Sequence, residues 1–286
     1  CSGSLWSVDF SFRRRMLGDS LPKNLVSAGI SFDVMSSHAT RLIAMLIGGL
    51  ILTYESVVGL FTLLCIFYTI SGLLLIRTTD RKLTSEKTPA KKVFLQVRSN
   101  NTLMVVLSIT PIFNIFVLPY LALIAPFLLE RFSVGELLLG SFSSVEGFGA
   151  MVGGLALALI NPLKRLLVFV SSLFGLLILI FLMTNMNNLF VVTGILFFAG
   201  ILSSTYSAMQ SAIIYLNSKP SLRSSTFSLL TIGIGIGLFG TINVSWLAQS
   251  NNVAGVIRWM ALEGLFLLFM IISIFGFKHF ISRSAS

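Results

Sequence analysis

The chain has 286 residues, 55% of them hydrophobic and only 10% charged, with a mean hydropathy of +0.95. A soluble domain carries about 25% charged residues, and no soluble core absorbs this much apolar surface, so a soluble globular fold is excluded. The formal net charge of +10 does not mark a nucleic-acid binder either, because Lys and Arg fall in short segments between apolar runs and form no basic patch interleaved with aromatics.

The first stretch, Leu5-Trp6-Ser7-Val8-Asp9-Phe10, reads as the tail of a membrane helix. Cys1-Ser2-Gly3-Ser4 then reads as the start of a fragment rather than of a mature lipoprotein. Beyond Arg13-Arg14-Arg15 and Pro22, apolar runs recur at the length a helix needs to cross about 30 Å of hydrocarbon. They fall at residues 25–52, 56–76, 102–129, 136–160, 165–184, 189–216, 226–248 and 257–281. The breaks between them are explicit: the polar run from Arg77 to Arg98, Glu130-Arg131, Asn161 to Arg165, Asn185 to Asn188, Lys219-Pro220 and Asn251-Asn252. This pattern predicts an all-α polytopic membrane protein.

Lys and Arg alternate sides along these spans. With Arg13 to Lys23 placed in the cytoplasm, all but Arg41, Arg131 and Arg258 fall on cytoplasmic segments, so the C-terminus is expected there too. Residues 77–100 form the longest polar segment and are read as a solvated linker, with two complete spans before it and six after. An anionic-lipid or regulatory role is the alternative. A faint internal repeat relates Ser20-Leu21-Pro22-Lys23-Asn24-Leu25-Val26-Ser27 to Ser218-Lys219-Pro220-Ser221-Leu222-Arg223-Ser224-Ser225, as in transporters built from parallel repeats. Cys1 and Cys65 are the only thiols, and no disulfide framework, metal site or cofactor is expected.

Three stretches carry a resemblance: Asp9-Phe10-Ser11-Phe12-Arg13 with Leu21-Pro22 and Asn24 to Ala28; Arg41 to Gly49; and Gln210 to Pro220 with Leu222-Arg223 and Phe227-Ser228-Leu229. Together they resemble the major facilitator superfamily, and within it the bacterial drug, macrolide and siderophore exporter branch. The resemblance implies the major facilitator fold, with the end of family helix four, helices five to twelve present and the N-terminal part truncated. Residues 1–76 would be the rest of the N-terminal six-helix half, 77–100 the central linker and 101–286 the C-terminal half. Ala44-Met45 stand where the family's exporter signature has Gly-Pro before its Gly-Gly, and Leu238 stands roughly where the related proline would lie near Gly235, Gly237 and Gly240.

Ionisable groups in hydrocarbon cost about 2.5–3.5 kcal/mol each on insertion scales, so each asks for a partner or a function. Asp33, His38, Arg41, Glu146 and Glu263 are in this position. Asp33, Ser37 and Arg41 share a helix face. Arg41 and Glu146 each lie about 15 Å from the outer end of their span at 1.5 Å per residue. The resemblance places their helices against one another across the boundary between halves, which implies an Arg41–Glu146 pair with Gly48, Gly49 and Gly153 at that boundary. Asp33, His38 and Glu146 are the groups able to carry a coupling proton. Asn114 and Tyr120, beside Pro111 and Pro119, and the run from Ser203 to Gln210 with Tyr206 are polar positions that either contact an amphipathic substrate or pack helices.

No catalytic motif is present: no His-Glu-x-x-His, no phosphate-cradling Gly-Lys-Ser or Gly-Lys-Thr, no paired His and Cys ligands. The expectation is a non-enzymatic secondary transporter of the bacterial inner membrane, exporting an amphipathic organic compound by alternating access, with the proton as coupling ion and the bilayer as surroundings. The alternatives are a transporter-like sensor or scaffold without flux, and a non-functional truncated product.

Overall fold

A computed structural model describes residues 13–54, 57–76, 90–134 and 136–275, with side chains at all of these except 41, 44–54, 57, 60, 74–76, 90, 136–140 and 143. The expected helix tail at Leu5 to Phe10, the polar run from Arg77 to Lys87 and the basic residues Lys278 and Arg283 lie outside the described residues. A helix over residues 13–19 (α1) leads into α2 (Val26–Tyr54) and α3 (Val57–Ile76). Then come α4 (Ala90–Ser99), α5 (Asn101–Ile112), a π-helical turn (Phe113–Val117), α6 (Leu118–Phe132), α7 (Glu136–Ile160), α8 (Arg165–Met183) and α9 (Leu189–Asn217). A 3₁₀ turn (Pro220–Leu222), α10 (Arg223–Gly235), α11 (Leu238–Leu247) and α12 (Val253–Phe275) complete the chain order. No strand occurs among the described residues.

Helices α5, α9 and α12 start where an asparagine side chain satisfies free amides of the first turn. The Asn100 side chain accepts from the Thr102 and Leu103 amides at 3.0 and 3.3 Å, and Asn188 accepts from Phe190 and Val191 at 2.9 and 3.4 Å. Asn252 accepts from the Gly255 amide at 2.9 Å and so begins α12 at Val253. That start is earlier than the expected residue 257. Arg258, counted from the sequence on the non-cytoplasmic side, lies in the second turn of this helix, with its Nε donating to the Thr184 hydroxyl at 3.3 Å. Ser133 and Asn161 end their helices in left-handed backbone, with φ of 48° and 43°. Within the expected linker, Ala90–Ser99 form α4.

Two spans are irregular, and they meet at their irregularities. The span Asn101–Phe132 runs through the π turn just after Pro111, whose missing N–H interrupts the ladder. Pro220–Leu247 breaks at Ile236 and Gly237 without a proline. Gly240 lies so close to the π turn that a Cβ there would overlap the Ile115 carbonyl, and at Gly237 it would stand 3.0 Å from that of Asn114. A glycine kink thus takes the place of the proline kink.

Helices in lipid gain little by hiding apolar side chains from one another, because the surrounding tails are equally apolar. Close packing takes over that role. On α7 and α9 the contact is reciprocal: a Cβ on Gly149 would overlap the Phe197 carbonyl, and one on Gly200 would overlap that of Glu146. A Cβ on Gly153 would meet the Ile201 carbonyl at 2.8 Å. The two helices therefore run parallel in near backbone contact. Behind them, Tyr206 is sandwiched between Phe113 (ring centroids 4.3 Å apart) and Phe169 (4.7 Å), each stack worth about 0.5–1.5 kcal/mol beyond area burial. The outward faces carry exposed Leu159, Phe190, Phe198, Phe266, Phe269 and Ile274, the apolar surface a lipid solvent covers.

Gly200→Ala is expected to destabilise the protein by about 1–3 kcal/mol through overpacking. Gly194→Ala is expected to be neutral or stabilising, since Gly194 lies in the same helix with open space where a Cβ would go. Thermal unfolding of the two purified variants in one detergent, followed by monodisperse elution, checks the difference.

Candidate functional site

Helix α2 lies across α7 and α9, so its buried face, with Ser27, Ile30, Ser31 and Val34, belongs to the same interior as the glycine seam. Gly154 admits α2, because a Cβ there would stand 2.9 Å from the Met35 amide nitrogen. Further along, a Cβ on Gly147 would meet the Leu42 side chain at 3.0 Å. As α2 advances from Met35 to Leu42, α7 retreats from Gly154 to Gly147, so the pair is antiparallel. Arg41 and Glu146 are the immediate chain neighbours of Leu42 and Gly147, and they fall at one level of this crossing. The Arg41 side chain, and the surroundings of Gly48 and Gly49 on the same helix, lie outside the described residues. Gly153, expected at the α2 boundary, faces α9 instead; its neighbour Gly154 meets α2.

Glu146 is 6% exposed and lies within electrostatic reach of the Tyr120 phenol. The Tyr120 ring is 1% exposed, and its hydroxyl has no hydrogen-bond partner among the described residues. A buried hydroxyl without a partner costs about 1–3 kcal/mol. Tyr120 on α6 and Glu146 on α7 are thus two buried polar groups within electrostatic reach of each other. The sequence reading grouped Tyr120 with the proline-flanked polar positions, and nothing in spacing alone tied it to Glu146.

Asn114, Tyr206 and Gln210 lie deeper. The Asn114 amide donates to the Thr110 carbonyl at 2.9 Å. The Gln210 amide donates to the Thr110 hydroxyl at 2.8 Å and to the Tyr206 hydroxyl at 3.1 Å. Gln210, Tyr206, Thr110 and Asn114 are all buried, so this is a hydrogen-bonded network joining α5, the π turn and α9 through the aromatic stack. Across the bundle, the Asn243 amide donates to Glu263 at 2.6 Å, which supplies that intramembrane carboxylate with its partner.

Asp33 is held by two cations. Its carboxylate lies 3.1 Å from Arg13 and 3.0 Å from Arg14, whose side chain is only 5% exposed. Burial lowers the Arg14 pKa to about 10, Asp33 opposing the fall and Arg13 adding to it, so Arg14 is still charged at neutral pH. The pair therefore staples α1 onto α2. The Ser37 hydroxyl donates to the Asp33 carbonyl at 2.9 Å, and His38 is half-buried on the same helix.

The sequence reading missed Asp19. Its carboxylate lies 2.9 Å from Arg223 and 3.4 Å from Arg15, and it accepts from the Tyr215 hydroxyl at 2.6 Å. Arg223 also donates to the Tyr215 hydroxyl at 2.7 Å and stacks 3.8 Å from the centre of its ring. A few residues on, the Asn161 amide donates to the Asn24 carbonyl at 2.8 Å. These bonds clamp the turn before α2 to the α7–α8 and α9–α10 connections, and Asn100, within hydrogen-bond reach of the Asn217 carbonyl at 3.4 Å, lies at this same basic end. The clamp joins the two turns related by the faint internal repeat, which was the available signal. Among the described residues no cluster of His, Cys, Asp and Glu could hold a metal ion.

Asp33→Asn is expected to cost about 3 kcal/mol, because it withdraws the carboxylate from a buried guanidinium. Arg13→Gln, at a half-exposed position, should cost less than about 1 kcal/mol. Comparing the two melting temperatures in detergent tests this ranking.

In comparison with known proteins, no curated protein matches the chain. Residues 4–242 match the sequence profile of the Major Facilitator Superfamily, which takes in α1 through the first half of α11. With that match over most of its length and an all-helical bundle of membrane-spanning length, the chain belongs to the Major Facilitator Superfamily and serves the transport of a small molecule across a membrane.

Proposed function

We propose that the protein exports an amphipathic organic molecule by proton-coupled alternating access, with the α2–α7 crossing as its working interface. The observation that carries this reading is Glu146: a carboxylate 6% exposed, at the level of Arg41, where the two helices cross, and within electrostatic reach of a Tyr120 hydroxyl that has no hydrogen-bond partner among the described residues. In this reading α1–α3 belong to the N-terminal half and α5–α12 form the C-terminal half, joined through residues 77–100. The basic end faces the cytoplasm, in line with the bias of Lys and Arg toward that side.

In this reading, proton uptake at Glu146 removes its charge from the α2–α7 crossing and frees α2 to slide on α7. Tyr120 offers a hydroxyl to a polar group on the substrate, whose apolar body suits the apolar walls around it. In this reading the clamp at Asp19 holds the cytoplasmic end closed. Asp19 is 38% exposed and its partners 13% and 19%. Exposed ion pairs contribute about 0.2–1 kcal/mol each, and a surface cation–π contact about 0.5–1 kcal/mol. Their sum is enough to bias an access equilibrium by roughly tenfold and small enough for substrate binding to overturn.

In cells expressing the protein, efflux of a fluorescent lipophilic cation is expected to collapse with a proton uncoupler and in Glu146→Gln. The exchange of Arg41→Glu with Glu146→Arg should recover part of what either single change loses. Tyr120→Phe is expected to slow efflux several-fold while leaving the melting temperature unchanged or raised, since it removes an unsatisfied hydroxyl. Correct insertion with no uncoupler-sensitive efflux by the parent protein would contradict the reading.

A second prediction concerns the clamp. Asp19→Asn and Arg223→Gln are each expected to raise, by roughly five- to tenfold, the rate at which a membrane-impermeant maleimide added at the cytoplasmic face reaches Ser37→Cys in a chain whose Cys1 and Cys65 are replaced by Ser.

A further inference from the structure

The short helix α4 presents two different faces. Val93 and Gln96 are buried, at 4% and 8% exposed, and Val97 packs against the bundle core, while Asn100 at its end caps α5 and reaches the Asn217 carbonyl. The opposite face is open. Phe94 and Leu95 are 63% and 54% exposed, and Lys91, Lys92 and Arg98 are exposed around them. Lys91, Leu95 and Arg98 follow one another at i, i+4 and i+7, so they form one row along the helix. Lys92, Gln96 and Ser99 form the row beside it. The helix holds three cations and no acidic residue.

Its position decides what covers this face. The apolar span begins at Asn101, so Phe94 lies no more than about 10 Å from the hydrocarbon edge at 1.5 Å per residue. The extended backbone of Asn100 (ψ 99°) turns the helix off the axis of α5 and brings it closer still. That depth is the headgroup layer, about 5–8 Å thick on each side of the hydrocarbon. A helix in that layer sinks large apolar side chains toward the acyl chains while Lys and Arg reach up to the phosphates.

We propose that α4 is an interfacial helix that binds anionic phospholipid headgroups, with Phe94 and Leu95 inserted at the acyl boundary and Lys91, Lys92 and Arg98 on the phosphates. The charge complementarity is one-sided, since zwitterionic headgroups offer no net attraction to three cations. Each basic residue near the surface adds roughly fivefold to the preference for an anionic membrane. Because α4 ends on the cap of α5 and touches α10, lipid bound there steadies the basic end of the bundle. The inference does not depend on the direction or coupling of transport.

The test places an indole on the open face by Phe94→Trp, in the protein reconstituted into vesicles, and measures its quenching by lipids brominated on the acyl chains. The parent chain in the same vesicles supplies the subtraction for Trp6, Trp246 and Trp259. Quenching at least twofold stronger in brominated phosphatidylglycerol than in brominated phosphatidylcholine is expected. The combined Lys91→Gln, Lys92→Gln and Arg98→Gln variant, changed only at exposed positions, should abolish that difference, as should high salt. No quenching in either lipid, or equal quenching in both with the three cations intact, would overturn the proposal.

Discussion

Backbone contact between α7 and α9 is the constraint on which the rest of the structure rests. In a lipid solvent apolar side chains have no preference for one another over acyl tails, so attraction between helices has to come from close approach. Gly149 and Gly200 permit it from opposite sides, each lying where a Cβ would overlap the other helix's carbonyl. Once α7 is fixed on α9, the next glycine around, Gly154, offers its bare surface to α2. The seam therefore sets the depth at which Glu146 and Arg41 fall level.

The charged groups sort by burial into different tasks. Asp33 sits between Arg13 and a buried Arg14, and breaking that arrangement is costly, which suits a permanent staple. Asp19 holds Arg223 and Tyr215 at a half-exposed site, where each bond contributes little. That suits a contact made and broken during work. Glu146, buried at a helix crossing within electrostatic reach of the Tyr120 phenol, is of a third kind, a carboxylate placed inside the span where two helices cross.

Spans and their order were legible because twenty-residue apolar runs and Asn-rich breaks are imposed directly by the thickness of the bilayer and by the unpaired amides of helix starts. The parallel run of α7 with α9 and the antiparallel run of α2 with α7 agree with the alternation read from Lys and Arg. The start of α12 was misplaced because the apolar run was taken from residue 257, whereas the Asn252 cap begins the helix at Val253. Helix α4 was hidden because a ten-residue amphipathic helix is too short and too basic to stand out from a polar linker. The π turn and the Gly237 kink depend on one another, and no single window contains both. At the site, the depth match of Arg41 with Glu146 was readable from spacing. The electrostatic proximity of Tyr120 to Glu146 and the pairing of Asp19 with Arg223 join residues far apart in sequence, which no local pattern can report.

The central claim is that α2 moves on the bundle and that the basic-end clamp opens when it does. The most direct measurement is a pulsed electron-spin distance between labels at Lys23→Cys and Lys219→Cys, both exposed beside the clamp, in the reconstituted protein whose Cys1 and Cys65 are replaced by Ser. The account predicts a short distance that gains a second, longer population on addition of the transported compound or on acidification, and that starts mostly long in Asp19→Asn. A single distance, unchanged by compound, pH or loss of Asp19 in protein that still transports, would contradict it.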